Sequence, residues 1–267
     1  MAGYQTKQES IAIVGADDLI IRSLLNAQQF SDSDGAADAM GISSAAWPMF
    51  GLLWPSGAHL AARMAARIPV PHERVLELGC GLALASLVAH RRGIDVTASD
   101  WHPLAPIFLA ENLRLNHLLP MKYAQGRWSE EALPPGAALP AGNPVAGRYD
   151  LLIGSDLLYE RDANGALAGF IGRHAAPIAE VWIIDPERGN RPAFNRRMAT
   201  LGFALREERL DHAASLGARA YRGRLLTYRR APPAGSACGE RAGSAAADKA
   251  CGNVDASLDG EDTRRLT

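Results

Sequence analysis

The chain has 267 residues, of which 48% are hydrophobic and 21% are charged, and its formal net charge is −1 at pH 7. These values are typical of a soluble globular protein with one large domain. The balanced charge gives no electrostatic reason to expect nucleic acid or a membrane as a partner. No apolar run approaches the roughly 18 residues that span a bilayer, and the N-terminus lacks the apolar core of a signal peptide. We therefore expect a cytoplasmic protein.

The first part of the chain is the least regular. Two apolar runs, "SIAIVG" (10–15) and "DLIIRSL" (18–24), are expected to pair as a hairpin around Ala16-Asp17-Asp18. A polar loop over 31–57 follows, and then a helix through "AHLAARMAARI" (58–68). We assign residues 1–45 to an N-terminal extension and residues 46–230 to the main domain.

Strands and helices alternate from about residue 74 onward. The expected strands lie at 74–79, 94–100, 121–125, 149–153 and 179–185, and the helices between and after them at 82–93, 103–118 and 191–202. "FALREERL" and "RGRLLTYRR" are consecutive closing strands. This order predicts an α/β, Rossmann-like three-layer sandwich with a mostly parallel seven-stranded sheet and an antiparallel C-terminal edge strand. Residues 231–267 have no aromatic residue and few aliphatic ones, so we expect a disordered tail.

A glycine turn joins the first strand of this alternating part to its helix, in "VLELGCGLALASL" (75–87). Gly79 and Gly81 allow the backbone to pass close to a ligand, and the helix start offers free N–H groups. Asp100 ends the next strand, 21 residues after Gly79, where a carboxylate can accept both hydroxyls of a ribose. Asp100 as a cap of the following helix is the alternative. Leu84 stands where a dinucleotide-binding motif needs glycine, which argues against NAD.

The segments "ELGCGLALASL", "VTASDWHP" and "ENLRLN" together resemble the class I methyltransferases that use S-adenosylmethionine (SAM). The resemblance implies that Glu77 and Gly79 approach the amino-acid part of SAM, that Asp100 binds the ribose, and that Trp101 lies beside the adenine. Ala83 occupies a position that is usually glycine in this family, which the turn tolerates if the backbone there is helical.

Three further segments, "LLWPSG" (52–57), "GRWSEE" (126–131) and "SDLLY" (155–159), resemble the protein-lysine methyltransferases with an Asp-x-x-Tyr motif. They are also similar to the bacterial relatives described as methylating nicotinamide or electron-transfer flavoprotein. The resemblance implies that Trp54 closes over the SAM site, that Trp128 walls the adenine, and that Ser155 contacts the cofactor. Taken alone, a tryptophan at either position would more often be a core aromatic than a wall of a cofactor site.

Asp156 and Tyr159 follow the buried strand that ends in "LLIG", at the sheet edge where ligands bind in open α/β sheets. They either act on the methyl acceptor or only turn the chain into its next helix. Asp156 is a poor final base for a lysine, because reference pKa values put that proton transfer uphill by about 6.5 units, or ~9 kcal/mol. Its better role is to accept a hydrogen bond from the amine and to aim the lone pair, while Tyr159 binds the same amine or walls the pocket.

These residues predict a SAM-dependent N-methyltransferase that acts on a lysine of a protein substrate. A small-molecule amine or nicotinamide-type methyltransferase and a non-catalytic SAM-binding protein are the alternatives. The Asn/Asp-Pro-Pro-aromatic motif of nucleic-acid base methylation is absent, and we expect a monomer without a nucleic-acid partner. The histidines are scattered and the three cysteines lack metal-site spacing, so we expect no metal. In "DPERGNR" (185–191), the arginines either hold a substrate carboxylate or cap a loop.

Overall fold

The computed structural model describes residues 4–30, 35, 39–130, 142–159, 164–213 and 220–231. The strands of this part are β1 Thr6–Ile11, β2 Leu19–Leu24, β3 Arg74–Leu78, β4 Asp95–Asp100, β5 Lys122–Gln125, β6 Tyr149–Ser155, β7 Ala175–Asp185, β8 Ala204–Arg209 and β9 Arg224–Arg230. The helices are α1 Pro55–Ala66, α2 Leu84–Arg91, α3 Ala105–Leu115, α4 Ala166–His174 and α5 Arg191–Thr200, with a 3-10 helix at Trp47–Gly51. The predicted tail lies outside the described residues from 232 onward, as do residues 131–141 between β5 and β6.

The main sheet has seven strands in the order β5-β4-β3-β6-β7-β9-β8. The five strands from β5 to β7 are parallel to their neighbours, whereas β9 runs antiparallel to both β7 and β8. The predicted mostly parallel sheet, with antiparallel pairing at its C-terminal edge, is therefore confirmed. From β3 the chain moves outward in one direction through β4 and β5, and then in the other direction through β6 and β7. The topological switch point, where the strand order reverses, therefore lies between β3 and β6.

Alternate residues of the central strands face two different hydrophobic cores. Val75 and Leu151 belong to a core that includes residues of α1, α2 and α3, whereas Leu76 and Leu152 belong to a core that includes residues of α4 and α5. This alternation follows from the two-residue period of a strand with both faces buried. The helices therefore form one layer on each side of the sheet, as the three-layer prediction requires.

The N-terminal hairpin is present, but β1 begins earlier than predicted. Its last residue, Ile11, pairs with Leu19 across a long connection. The apolar residues after Ile11 resembled a strand because of their composition. Instead, Ile13 turns into the core and Val14 is 81% exposed, so the chain has already left the strand.

Two asparagines, Asn112 on α3 and Asn116 at its C-terminal cap, bind the backbone of β2. The Asn112 side chain accepts a hydrogen bond from the Arg22 N–H at 2.8 Å, and the Asn116 side chain accepts one from the Ile20 N–H at 2.9 Å. The Asn116 amide also donates to the Ile20 carbonyl at 2.7 Å. Residues four apart lie on one face of a helix, so the two amides act together and fix the hairpin to α3.

Helix α4 was missed in the sequence because Gly169 and Gly172 lower its intrinsic helix propensity. It runs directly into β7, which consequently begins at Ala175 rather than at 179. The 3-10 helix at Trp47–Gly51 lies within the predicted loop. None of the helices in the described ranges is long and apolar enough to cross a membrane.

Replacement of Asn112, which is fully buried, should loosen the hairpin. Asn112→Ala leaves backbone groups of Arg22 without their side-chain partner, so we expect it to lower the free energy of unfolding by about 1–3 kcal/mol. Urea denaturation measures the loss. Ile107→Ala, at a half-exposed position of the same helix, is the control and should change stability by less than about 0.5 kcal/mol. Equal stability of the two variants would contradict a role for Asn112.

Candidate active site

The turn after β3 packs so closely against neighbouring residues that two of its positions have no room for a side chain. Gly79 and Gly81 have φ values of +53° and +52°, in the left-handed region that favours glycine. A Cβ on Gly79 would lie 2.8 Å from Leu157 Cδ2, and a Cβ on Gly81 would lie 2.8 Å from the carbonyl oxygen of Phe50. Glycine is therefore required at both positions. At Gly81 it is required for close packing against the 3-10 helix, in addition to any space that a ligand needs.

Ala83 is also left-handed, with φ +59° and ψ +35°, and it directly precedes α2. The condition under which alanine was expected to be tolerated, a helical backbone, is therefore not met. A left-handed residue with a Cβ costs about 1–2 kcal/mol, which the fully buried surroundings of Ala83 must offset.

Asp100 ties the end of β4 to the glycine turn. Its Oδ2 accepts a hydrogen bond from the Gly81 N–H at 2.8 Å, and its Oδ1 accepts one from the His102 N–H at 2.8 Å. Burial raises the pKa of Asp100, while these backbone N–H groups counteract the rise. Helix α3 begins at Ala105 with Leu104 as its N-cap, so the alternative of Asp100 as a helix cap is wrong.

Glu77 lies at the end of β3, below the turn. Its Oε2 accepts a hydrogen bond from the Ser86 N–H of α2 at 2.9 Å, and its side chain is buried. Burial raises the pKa of Glu77 to about 7 and outweighs the hydrogen bonds from Ser86. The carboxyl group therefore changes charge near neutral pH.

Two of the predicted tryptophans lie around this turn. A Cβ on Gly79 would be 3.5 Å from the Trp128 ring, so the indole packs directly over the turn. The Trp128 Nε1 is buried and has no hydrogen-bond partner among the described residues. Trp101 follows Asp100, donates its indole N–H to the Met40 carbonyl at 3.2 Å, and lies 5.5 Å from the Arg127 guanidinium.

His102 belongs to the same region, although sequence reasoning did not single it out. Its ring stacks on Phe50 at 3.7 Å between centroids and meets Trp47 edge-on at 4.2 Å. Burial lowers the pKa of His102 to about 3, so the ring is neutral at neutral pH. Its Nε2 is buried and unpartnered within the described part of the chain. The signal available in the sequence was its position two residues after Asp100.

Asp156, directly after β6, holds a strained position. Its φ is +58°, and its N–H donates to the Ile184 carbonyl at 2.9 Å. Its Oδ1 lies 3.1 Å from Arg188 Nη2, whereas its Oδ2 is buried without a partner in the described ranges. Left-handed non-glycine residues of this kind cluster at functional sites. Tyr159 lies at the far end of the same turn and is 41% exposed.

Trp54 lies on the Asp156 side of the site. It is the N-cap residue of α1 and donates its indole N–H to the Met49 carbonyl at 2.9 Å. The Arg188 guanidinium, which binds Asp156, stands 5.8 Å from the centre of its ring. The Ser155 hydroxyl is also near α1, 3.8 Å from where a Cβ on Gly57 would lie.

Cys80 and possible metal ligands complete the description of the site. Cys80 is buried in the turn, and burial raises the pKa of its thiol, which suits a space-filling role and not a nucleophilic one. Among the residues that the structure describes, no group of three or more His, Cys, Asp or Glu side chains is arranged to hold a metal ion.

Comparison with known proteins agrees with this geometry. A family model described as lysine methyltransferase matches residues 51–191, more than half of the chain. The chain belongs to the lysine methyltransferase family. A curated relative, mouse EEF1A lysine methyltransferase 3, is 27% identical over 173 residues, which cover 61% of this chain and 65% of the mouse protein. The match thus spans less than two thirds of that relative's length.

Two solved structures are also similar to this lysine methyltransferase family member. A methyltransferase from Pyrococcus furiosus is 17% identical, with a TM-score of 0.47, over 65% of this chain and 81% of the other. Magnesium protoporphyrin IX methyltransferase from Synechocystis PCC 6803, crystallised with bound SAM, is 17% identical with a TM-score of 0.48, over 66% and 78% of the two chains.

The family uses SAM as its cofactor, and the residues of the turn fit such a molecule. The two glycines keep the turn free of side chains, and Glu77 and Asp100 bring carboxylates to its two sides. Trp128 adds an aromatic face with an unpartnered indole N–H among the described residues. The roles of the individual residues towards SAM stay predictions, as does the role of Ser155.

Alanine substitutions at two glycines separate backbone strain from steric clash in the turn. Gly93 has φ +74°, and a Cβ at this position would meet nothing within 4 Å, so Gly93→Ala should lower the free energy of unfolding by about 1 kcal/mol from φ strain alone. Gly81→Ala should cost about 1–3 kcal/mol more, because the Phe50 carbonyl must move. Urea denaturation compares the two, and equal losses would show that the 3-10 helix yields freely.

Proposed function

We propose that the protein transfers the methyl group of SAM to the side-chain amine of a lysine in a protein substrate. The observation that carries the proposal is the arrangement of Asp156, Arg188 and Trp54. A partly buried carboxylate and an aromatic ring both contact a cationic side chain at the carboxyl end of β6, beside the switch point. A carboxylate and an aromatic face are the partners that an alkylammonium group prefers.

The cofactor side of the site is formed by the turn after β3. We expect Glu77 and Gly79 to bind the amino-acid part of SAM, Asp100 the ribose, and Trp101 and Trp128 the adenine. When bound, SAM supplies an electrophilic methyl group on a positively charged sulfur. The protein has to position the acceptor amine and exclude water.

Asp156 serves the acceptor amine in this proposal. The carboxylate accepts a hydrogen bond from the amine and directs the nitrogen lone pair, and water carries the released proton away. Its strained backbone, held by the hydrogen bond to the Ile184 carbonyl, fixes the carboxylate at the strand end. Tyr159 forms the outer wall of the same pocket.

The name of the mouse relative supports a protein lysine as the acceptor, and the family description agrees. Because the match covers 65% of that relative, the substrate of this chain is proposed only as a lysine in a protein. A cytoplasmic location and a monomeric state complete the proposal.

Incubation with labelled SAM and a host lysate that lacks this protein tests the proposal. We expect label in a protein band, in methylated lysine. Asp156→Asn should slow methyl transfer about ten- to a hundredfold in single turnover at saturating SAM, because a charge-assisted hydrogen bond is worth about 1.5–3 kcal/mol. SAM affinity of the variant, measured by calorimetry, should change little.

Other outcomes of this experiment would overturn parts of the proposal. Label in a small molecule would replace the protein substrate, and the absence of any label would contradict an enzyme. A normal rate in Asp156→Asn would remove Asp156 from catalysis, and a collapse of SAM affinity would assign it to the cofactor site.

SAM affinity should also depend on pH through Glu77. Because the pKa of Glu77 is raised to about 7, its carboxylate loses its charge as the pH falls through 7, and attraction to the ammonium group of SAM is lost. We expect SAM affinity to fall by up to about tenfold per pH unit below 7. Calorimetric titrations between pH 5.5 and 7.5 measure the slope.

Glu77→Gln is the control for this pH dependence, because its amide oxygen still accepts the Ser86 hydrogen bond without titrating. Its SAM affinity should be lower and nearly independent of pH. Without SAM, the raised pKa lowers the stability of the wild-type protein as the pH rises from about 4.5 to 7, and the variant should lack this loss. A parallel pH slope in both proteins would exclude Glu77.

A further inference from the structure

Asp156 and Asp185 stand side by side at the ends of two neighbouring strands. In the register of β6 and β7, Ser155 pairs with Ile184, and the Asp156 N–H donates to the Ile184 carbonyl at 2.9 Å. The residue that follows this pair on each side is an aspartate: Asp156 comes directly after β6, and Asp185 is the last residue of β7. Paired strands lie about 4.8 Å apart, so the two carboxyl groups arise from adjacent backbone positions.

Asp185 has a fully buried side chain, and neither carboxylate oxygen accepts a hydrogen bond in the part of the chain that the structure describes. The Arg188 N–H faces the carboxylate and lowers its pKa, but without hydrogen-bond geometry. Burial, together with the charge of Asp156, raises the pKa of Asp185 to about 6. An unpartnered buried carboxylate is costly, and natural proteins seldom keep one without a function.

Two arginines lie near this carboxylate pair, and one of them forms an ion pair with it. Arg188, from the loop after β7, binds Asp156 at 3.1 Å and has a buried Nε without a partner among the described residues. The positive charge of Arg191, from α5, lowers the pKa of Asp185, but the ion pair of Arg191 is with Glu207, at 3.8 Å. The other titratable groups that face the pair are Tyr221 and Tyr228, with raised pKa values that keep both phenols neutral at neutral pH. Among the described residues, the Arg188 guanidinium thus forms the one ion pair of these two carboxylates, and three of their four oxygens remain without a hydrogen-bond partner, so the site fits a further or a substitute cation.

Arg188 already makes the contacts that an alkylammonium ion would make, with the Asp156 carboxylate and with the Trp54 ring. Its side chain is 35% exposed, so it can leave towards solvent without crossing the core. We propose that Asp156 and Asp185 form a two-carboxylate site for a primary ammonium group, and that Arg188 occupies this site until the acceptor lysine displaces it. The identity of the ligand as the acceptor lysine rests on the proposed function, whereas the cation site is defined by the geometry.

The two carboxylates make the site selective for the charge of the methyl acceptor. A lysine ammonium matches the charge of the site, whereas a neutral pyridine ring or an alcohol of the same length gains nothing from it. Arg188 increases this selectivity. When a ligand displaces Arg188, the negative charge of the carboxylates stays neutralised only if the ligand is itself positively charged. Asp185 is accordingly a specificity-determining residue, placed beside Asp156.

Binding of n-butylammonium to the protein saturated with S-adenosylhomocysteine tests the site without methyl transfer. The indole N–H resonance of Trp54, assigned with Trp54→Phe, reports binding by NMR titration, and n-butanol is the neutral control ligand. We expect Asp185→Asn to weaken n-butylammonium binding about tenfold and Arg188→Gln to strengthen it about tenfold. Arg206→Gln, which removes one exposed arginine from the edge strand β8, is the charge-matched control and should bind like wild type.

The pH dependence of n-butylammonium binding tests whether Asp185 binds the cation or has only a structural role. Wild-type affinity for n-butylammonium should fall as the pH falls through about 6, where Asp185 becomes protonated, and the fall should be smaller in Asp185→Asn. Equal affinity in wild type and Asp185→Asn, equal binding of n-butanol, or weaker binding in Arg188→Gln would each overturn the proposal. If Asp185→Asn fails to fold, the Arg188→Gln and n-butanol results still decide it.

Failure of the proposed function can be distinguished from failure of the cation-site inference. A protein that binds n-butylammonium as described but labels no lysine in the lysate has the cation site and another acceptor. A protein that labels lysine with unchanged kinetics in Asp185→Asn keeps the function and loses this inference.

Discussion

The pairing of β3 with both β4 and β6 is the constraint on which the site depends. Because the chain departs from β3 in two directions, the connections leave the space above its carboxyl end uncovered. The glycine turn, Asp100 and Asp156 all reach this space from neighbouring strand ends. The hydrogen bond from the Gly81 N–H to Asp100 then fixes the turn against β4 at 2.8 Å.

The crevice above the carboxyl end of β3 therefore has two sides that differ in how their carboxylates are held. On the β4 side, carboxylates are held by backbone N–H groups, as Glu77 is by Ser86 and Asp100 by Gly81 and His102. On the β7 side, Asp156 and Asp185 face an arginine and an aromatic ring. Backbone donors stabilise an anion at a fixed position, which suits a tightly held ligand on the β4 side. The partly exposed Arg188 side chain can be replaced by another cation, which suits a ligand that exchanges on the β7 side.

Much of the fold could be predicted from the sequence, because strand runs, the glycine turn and the closing strands each carry local patterns. The register that aligns Asp156 with Asp185 could not be predicted, since it depends on where β7 begins, and α4 extends the chain into β7 without a break. The contact of Arg188 with Trp54 joins positions 134 residues apart (188 − 54), and no local pattern reports it. Ala83 was misjudged because composition does not reveal φ.

The asparagines at the C-terminal end of α3 also affect the free edge of β2 in the two-stranded sheet. A strand at the edge of a sheet normally presents unpaired N–H and C=O groups that another extended chain can join. Here the amides of Asn112 and Asn116 take up those groups at Arg22 and Ile20. Side chains thus stand in for a third strand, and that edge of the hairpin is closed to strand exchange and to aggregation through β-pairing.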